Sequence, residues 1–271
     1  MGLSARLALA AFALGLAGGV ALADAVYHGR AIVTGELEPE RSRGFALAFK
    51  DALVEASGDV RLLEDPRVDA LAAHAKDDVL HFRYRDRMAG IPHHDEQGSH
   101  DRPFDLIVDF DGAKIEHALA SLGVQPWTGQ RPIVAAFVAV SHGDEHFDLS
   151  SDGDEGVDQR AALADAADRY GIELVLPGAE RIASARIDDL LVPPIEAGRF
   201  VSLAQDLGGD VPLVGSLVWS DQPGGWNGDW RLVAQGRVYR WHVDGVSFDA
   251  AFQNAILGAA QILSGHGAPA S

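Results

Sequence analysis

Ile133-Val134-Ala135-Ala136-Phe137-Val138-Ala139-Val140 is apolar at every position and is bounded by Pro132 and Ser141. An eight-residue run without alternation fits a strand buried on both faces. Helices must then cover both sides of its sheet. Downstream, Ile172 to Leu176 and Val211 to Trp219 are further apolar strands, and Asp229 to Gly236 and Val238 to Val243 add two more. The stretch from Ser141 to Gly156 is acidic and rich in Gly and Ser, which suits a loop or a short ragged edge. Helices fall between the strands: Val157 to Tyr170, one around Phe200, Leu203, Ala204 and Leu207, and a last one capped by Ser247. Arg181 to Gly198 is broken by Pro193-Pro194 and has no single reading.

Upstream, Ala25 to Gly35 is rich in strand formers. Pro39 opens a helix to about Ser57, with Phe45, Phe49, Ala52, Leu53 and Ala56 on one stripe and Gly58 as a left-handed stop. Asp65-Pro66 pairs an N-cap with proline at the first helical position. His81 to Met88 alternates polar and apolar side chains and predicts a strand with one wet face, pairing with Phe104 to Phe110. Asp111 then caps a helix ended by Gly123. The expected fold is α/β (α+β): a β-α-α-β-β-α module over 24–126 and a second α/β module over 131–264. Both have mixed sheets flanked by helices, and Gln125 to Pro132 forms the boundary. Residues 265–271 read as a frayed tail.

The first 23 residues read as a secretory signal. Arg6 supplies the positive start, Leu7 to Val20 the apolar stretch, and Ala21-Leu22-Ala23 the small-x-small cleavage rule before Asp24. The apolar run is short for a bilayer span, which needs about 20 residues. No later stretch is long and apolar enough to span, so no transmembrane segment is expected after cleavage. Zero cysteines exclude disulfides, thiolate metal sites, a cysteine nucleophile and a lipid-bearing cysteine. Loss of Arg6 leaves 21 − 40 = −19 formal charges on the mature chain, against −18 before cleavage. That balance argues against nucleic acid, whose binding rests on Lys and Arg contacts to phosphate.

Ser57-Gly58-Asp59, Leu63-Glu64-Asp65-Pro66-Arg67-Val68, Phe82-Arg83-Tyr84, Leu106 to Phe110, Trp127 to Pro132, Leu174-Val175-Leu176-Pro177, Val214-Gly215 and Gly225-Trp226 with Trp230 follow one another from about residue 25 to 240. In this order the chain resembles the proteobacterial family known as domain of unknown function 2066. The resemblance implies no catalytic residue. The loops from Pro92 to Asp101 and from His142 to Gly156 stand as additions to it. The opening strand and Ala-rich helix are also similar to modules of exported flagellar and outer-membrane assembly proteins, an architectural likeness only.

His142-Gly143-Asp144-Glu145-His146 matches H-x-x-E-H, in which two histidines one helical turn apart hold zinc and the glutamate is general base. Here the string directly follows a buried strand and contains a glycine, so the helix this chemistry needs is missing. His93, His94 and His100 with neighbouring carboxylates form one candidate metal-binding loop, and His142 and His146 a second. The plainer reading of both is a solvated polar loop. Asp152-Gly153-Asp154-Glu155-Gly156 lacks the spacing of a calcium loop. No G-x-S-x-G elbow or phosphate-cradling glycine motif occurs. Trp219, Trp226, Trp230 and Trp241 crowd the C-terminal strands, with core or hairpin packing the expected role and Trp219 beside Trp230 across one turn.

The sequence therefore predicts an exported periplasmic protein without a catalytic centre or resident cofactor, supporting an envelope process through contacts with other envelope proteins. The alternatives are a divalent-metal binder using the loop histidines and, more remotely, a zinc hydrolase centred on His142, Glu145 and His146. Export should produce a chain whose N-terminal sequence begins Asp24-Ala25-Val26. Replacing Ala23 by Asp should leave the uncut precursor, read by mass spectrometry of the exported fraction. An unprocessed wild-type chain would contradict the signal.

Overall fold

The computed structural model of the protein describes residues 25–90, 102–186, 197–222 and 224–269. The architecture is α+β. The first unit holds β1 (Val26–Thr34), α1 (Glu40–Ser57), α2 (Pro66–Ala72), β2 (Val79–Asp86), β3 (Pro103–Asp111) and α3 (Gly112–Leu122). Its sheet is antiparallel throughout, in the order β1-β3-β2. The second unit holds β4 (Val134–His142), β5 (Glu145–Asp148), α4 (Val157–Arg169), β6 (Leu174–Val175), α5 (Ala179–Ala185), α6 (Ala197–Asp206), β7 (Val211–Ser220), β8 (Gly225–Ala234), β9 (Arg237–Val246) and α7 (Phe248–Leu263). Its sheet runs β5-β4-β7-β8-β9, with two-residue β6 beside the start of β4. Only the β4–β7 and β4–β6 pairs are parallel.

The local punctuation works as its chemistry requires. Gly58 and Gly123 end α1 and α3 at φ 73° and 78°. Asp65, Asp111 and Ser247 accept hydrogen bonds from the first-turn amides of α2, α3 and α7. Gly29 lies beneath α1, where a β-carbon would sit 1.9 Å from the Ala48 carbonyl oxygen. No side chain fits at that crossing.

β4 fulfils the reading of its apolar run. Val134, Ala136, Val138 and Val140 enter the larger core, while Ala135 and Phe137 enter a smaller one with Ile182, Phe200, Ala204 and Val214. Phe137 meets Phe200 edge-on, with ring centroids 5.2 Å apart. The larger core is continuous from the first sheet through α1 to α4, α7 and the inner faces of β7 and β8.

Several boundaries differ from the sequence reading. Of the two readings of Ser141 to Gly156, a loop or a short ragged edge, the start is a short edge strand: β4 and β5 form a hairpin, because Gly143 supplies the positive φ (61°) that the first position of a tight two-residue turn demands. β8 begins at Gly225, four residues earlier than expected, because glycines allow the chain to pair while it turns. Trp219 stands opposite Trp226, and Trp230 opposite Trp241 and Gly215, so Trp219 and Trp230 are not neighbours across one turn.

Arginines join the units, Arg169 and Arg131 among them. Arg169 at the end of α4 donates from Nε to Asp51 Oδ2 on α1 (2.6 Å) and from Nη2 to the Arg30 carbonyl on β1 (3.1 Å). Arg131 lies over the Trp127 ring at 4.7 Å and donates to the carbonyls of Tyr170 and Gly171 as well as to that of Glu55. Burial pushes the Asp51 carboxyl up, against the pull of Arg169 and the Arg30 amide. Truncating one partner of a buried pair strands the other charge. Arg169→Met should therefore cost about 3–5 kcal/mol in urea unfolding, and Asp51→Leu added to it should restore most of the loss. Losses of the two single variants that simply add in the double would show that the pair is not coupled.

Candidate functional site

Alternation on the first sheet places three rows of side chains on the face turned away from α1. They are His28–Asp109–His81, Arg30–Ile107–Arg83 and Ile32–Asp105–Arg85. The β2 pattern His81-Phe82-Arg83-Tyr84-Arg85 turns its basic residues to this face and its aromatic residues toward α1. There Phe82 packs edge-on against Phe45 at 5.2 Å. Asp105 is 4% exposed under two guanidinium groups. Arg85 reaches its Oδ2 from Nε and Nη2 at 3.0 and 2.8 Å, and Arg87 reaches Oδ1 at 3.2 Å. Asp105 holds the Arg85 guanidinium charged to above its ordinary range.

Facing this floor is the polar side of α4. Asp165 and Asp168 bind the two terminal nitrogens of Arg30, the second at 3.3 Å. Between floor and helix opens a cleft of about 740 Å³, lined by Arg85, Arg87 and Asp105 on one side and by Asp158, Ala161 and Asp165 on the other. Phe248 and Asp249, at the start of α7, close one end. A smaller hollow of about 250 Å³, with Arg83, Ile107 and His28 in its wall, shares Asp168 with the cleft. The result is an open trough in which Arg85 and Arg87, set among Asp86 and Asp105, face the carboxylates of α4.

At the rim, His28 lies between two carboxylates. Its Nδ1 is 3.4 Å from Glu55 Oε1 and its Nε2 is 3.8 Å from Asp109 Oδ1, while its backbone amide donates to Glu55 Oε2. Hydrogen bonding to Glu55 raises the His28 value above the ordinary 6.5, although burial works against it.

The sequence candidates are not brought together in this trough. His93, His94 and His100 lie outside the described residues, as do Ala21, Ala23 and Asp24 of the expected cleavage site. His142 and His146 sit on the β4–β5 hairpin. His142 pairs with Glu145 on one face, and Ser141 with His146 on the other. The two imidazoles therefore point to opposite sides, unlike the one-sided pair that a zinc helix presents. His142 packs against Trp219 and Trp226 at centroid distances of 5.3 and 5.6 Å, and His146 Nδ1 is 2.6 Å from Ser141 Oγ. Among the described residues no group of three or more His, Asp or Glu is placed to hold a metal ion. In the acidic loop after β5, Arg160 donates to the carbonyls of Ser150 (2.8 Å) and Gly153 (2.9 Å), oxygens of the kind a calcium ion would otherwise use.

The trough residues were legible only in part. The wet face of β2 was readable from its alternation, and Asp105 and Asp109 repeat that period on β3. That Asp165 and Asp168 face them from across the chain has no local signal.

Residues 21–128 match the family model described as a domain of unknown function (DUF8605). This corrects the resemblance to domain of unknown function 2066, which is a different family. The short strings behind that resemblance are caps, turns and strand cores, which any α+β chain needs. The match takes in the first unit and the β1–β3 face of the trough. No curated protein matches the chain.

Because the folded-state value of His28 lies above 6.5, protonation favours the folded state. That contribution is complete below about pH 6.5 and is lost as pH rises through the higher value. His28→Gln should therefore flatten the fall in melting temperature between about pH 6 and pH 8. An unchanged slope would show that the Glu55–His28 contact is absent in solution.

Proposed function

We propose that the protein is an exported, non-catalytic interaction protein of the cell envelope that seats a partner in the cleft between the first sheet and α4. The observation that carries this reading is the cleft's construction. It is wide, open and polar, and it lies where two units meet, a common position for binding sites. Its basic residues are held by acids rather than aimed at a reacting centre: Arg85 and Arg87 on Asp105, and Arg30 on Asp165 and Asp168. Arginines on the sheet facing carboxylates on α4 select a partner by orientation and register, as complementary charge does at protein interfaces. The signal-like start of the chain supports export. Among the described residues no helix is long and apolar enough to cross a membrane.

A photo-crosslinking residue at exposed Ala161, in the cleft, should yield a discrete product with one envelope protein in living cells. The same residue at Ala120, on the outer side of α3, should not, and Asp158→Arg should weaken the product. Protein purified without a histidine tag should contain no stoichiometric zinc, nickel or copper. Crosslinking that is equal at both positions would overturn the proposal. So would one bound metal per chain whose removal lowers the melting temperature.

A further inference from the structure

Among the outer strands of the two sheets, β1 and β9 are finished differently. The free edge of β1 is capped by α1: the amides of His28, Arg30 and Thr34 donate to the carboxylates of Glu55, Asp51 and Glu40. Arg43 of α1 also donates to the Ile32 carbonyl at 3.1 Å. Among the described residues the edge of β9 has no such cover. β8 and β9 are joined by a two-residue turn, Gln235-Gly236, with both φ positive (52° and 72°). That turn makes Ala234 and Arg237 a hydrogen-bonded pair. Pairs alternate from there, so Val238 and Arg240 fall in the non-hydrogen-bonded class, with their amides and carbonyls turned outward. Among the described residues, no hydrogen bond reaches those groups.

On the face away from α7, Arg231 stands directly opposite Arg240 in the close class of pair. Like charges placed so are destabilising. Neither arginine has a carboxylate within 4.0 Å among the described residues, although Asp229 lies two positions along the same face opposite His242. In a chain with 40 acidic and 22 basic residues, these two adjacent arginines beside a strand edge have no acidic partner among the described residues.

We propose that the β9 edge receives an extended acidic peptide as an added strand, with a Glu or Asp side chain laid over Arg240 and Arg231. This surface is separate from the cleft. The added strand would take up the outward amides and carbonyls of Val238 and Arg240, and its carboxylate would relieve the arginine pair. A second copy of this chain is disfavoured as occupant, since edge-to-edge pairing would bring Arg237 and Arg240 of both copies together. The overall negative charge does not forbid an acidic partner. At physiological salt, charges beyond about 8 Å are largely screened, so the local arginines dominate.

The test uses the full mature protein and a fluorescein-labelled octapeptide alternating Glu with Thr, with its Lys counterpart as control. The Glu peptide should bind, the Lys peptide should not, and Arg240→Glu should weaken binding at least about tenfold without lowering the melting temperature. Hydrogen exchange at the Val238 and Arg240 amides should slow on adding the Glu peptide. Equal binding of both peptides, or slowing elsewhere only, would overturn the proposal. So would an Arg231→Thr/Arg240→Thr variant that self-associates while the wild type binds neither peptide, because the arginines would then only guard the edge.

Discussion

The arrangement of the molecule depends on one buried carboxylate. Asp51 is 4% exposed, and its Oδ2 accepts from both the Arg30 amide and the Arg169 side chain. One oxygen atom thus finishes the edge of β1 and fixes the end of α4. A buried ion is costly unless its hydrogen bonds are met, so the geometry tolerates little drift. With α4 held there, its Asp165 and Asp168 must face Arg30, and its remaining polar side must face the first sheet. The cleft is the space that this constraint leaves.

The apolar core gives cohesion without that direction. α7 lies across β8 and β9 with Gly258 under Trp241, and Gly215 lets Trp230 settle on β7. At its far end Ser264 crowds Gly58, and His266 comes within 3.8 Å of Asp59. The larger core therefore continues from one sheet to the other, and burial of apolar area is indifferent to orientation. Hydrogen-bonded charges supply the orientation, at Arg169 and again at Arg131.

Strand edges show a second division of labour. On β1, carboxylates spaced along α1 take the outward amides of His28, Arg30 and Thr34 in place of a neighbouring strand. On β9, Arg237 and Arg240 stand along the edge, and among the described residues nothing meets the outward amides and carbonyls of Val238 and Arg240. The difference follows from what packs nearby: α1 runs beside β1, whereas α7 covers only the inner face of β9, through Trp241.

What was legible in the sequence was local. The apolar run at 133–140 announced a strand buried on two sides, and capping residues at 58, 65, 111, 123 and 247 marked helix ends, because those signals act within a few residues of themselves. The His142 to His146 string shows the limit. Its residue types suit zinc, but a glycine with positive φ bends it into a hairpin and sends the histidines to opposite faces. The same holds for Trp219, whose cross-strand partner depends on where β8 begins. Composition and periodicity determined the element types, the α+β class, the charge and the absence of cysteine chemistry. Only the tertiary structure decided that Asp51 meets Arg169 across 118 residues, that β2 faces α4, and that Arg231 stands beside Arg240 on an open edge. Such pairings are set by how packed elements meet in space, and no local pattern encodes that.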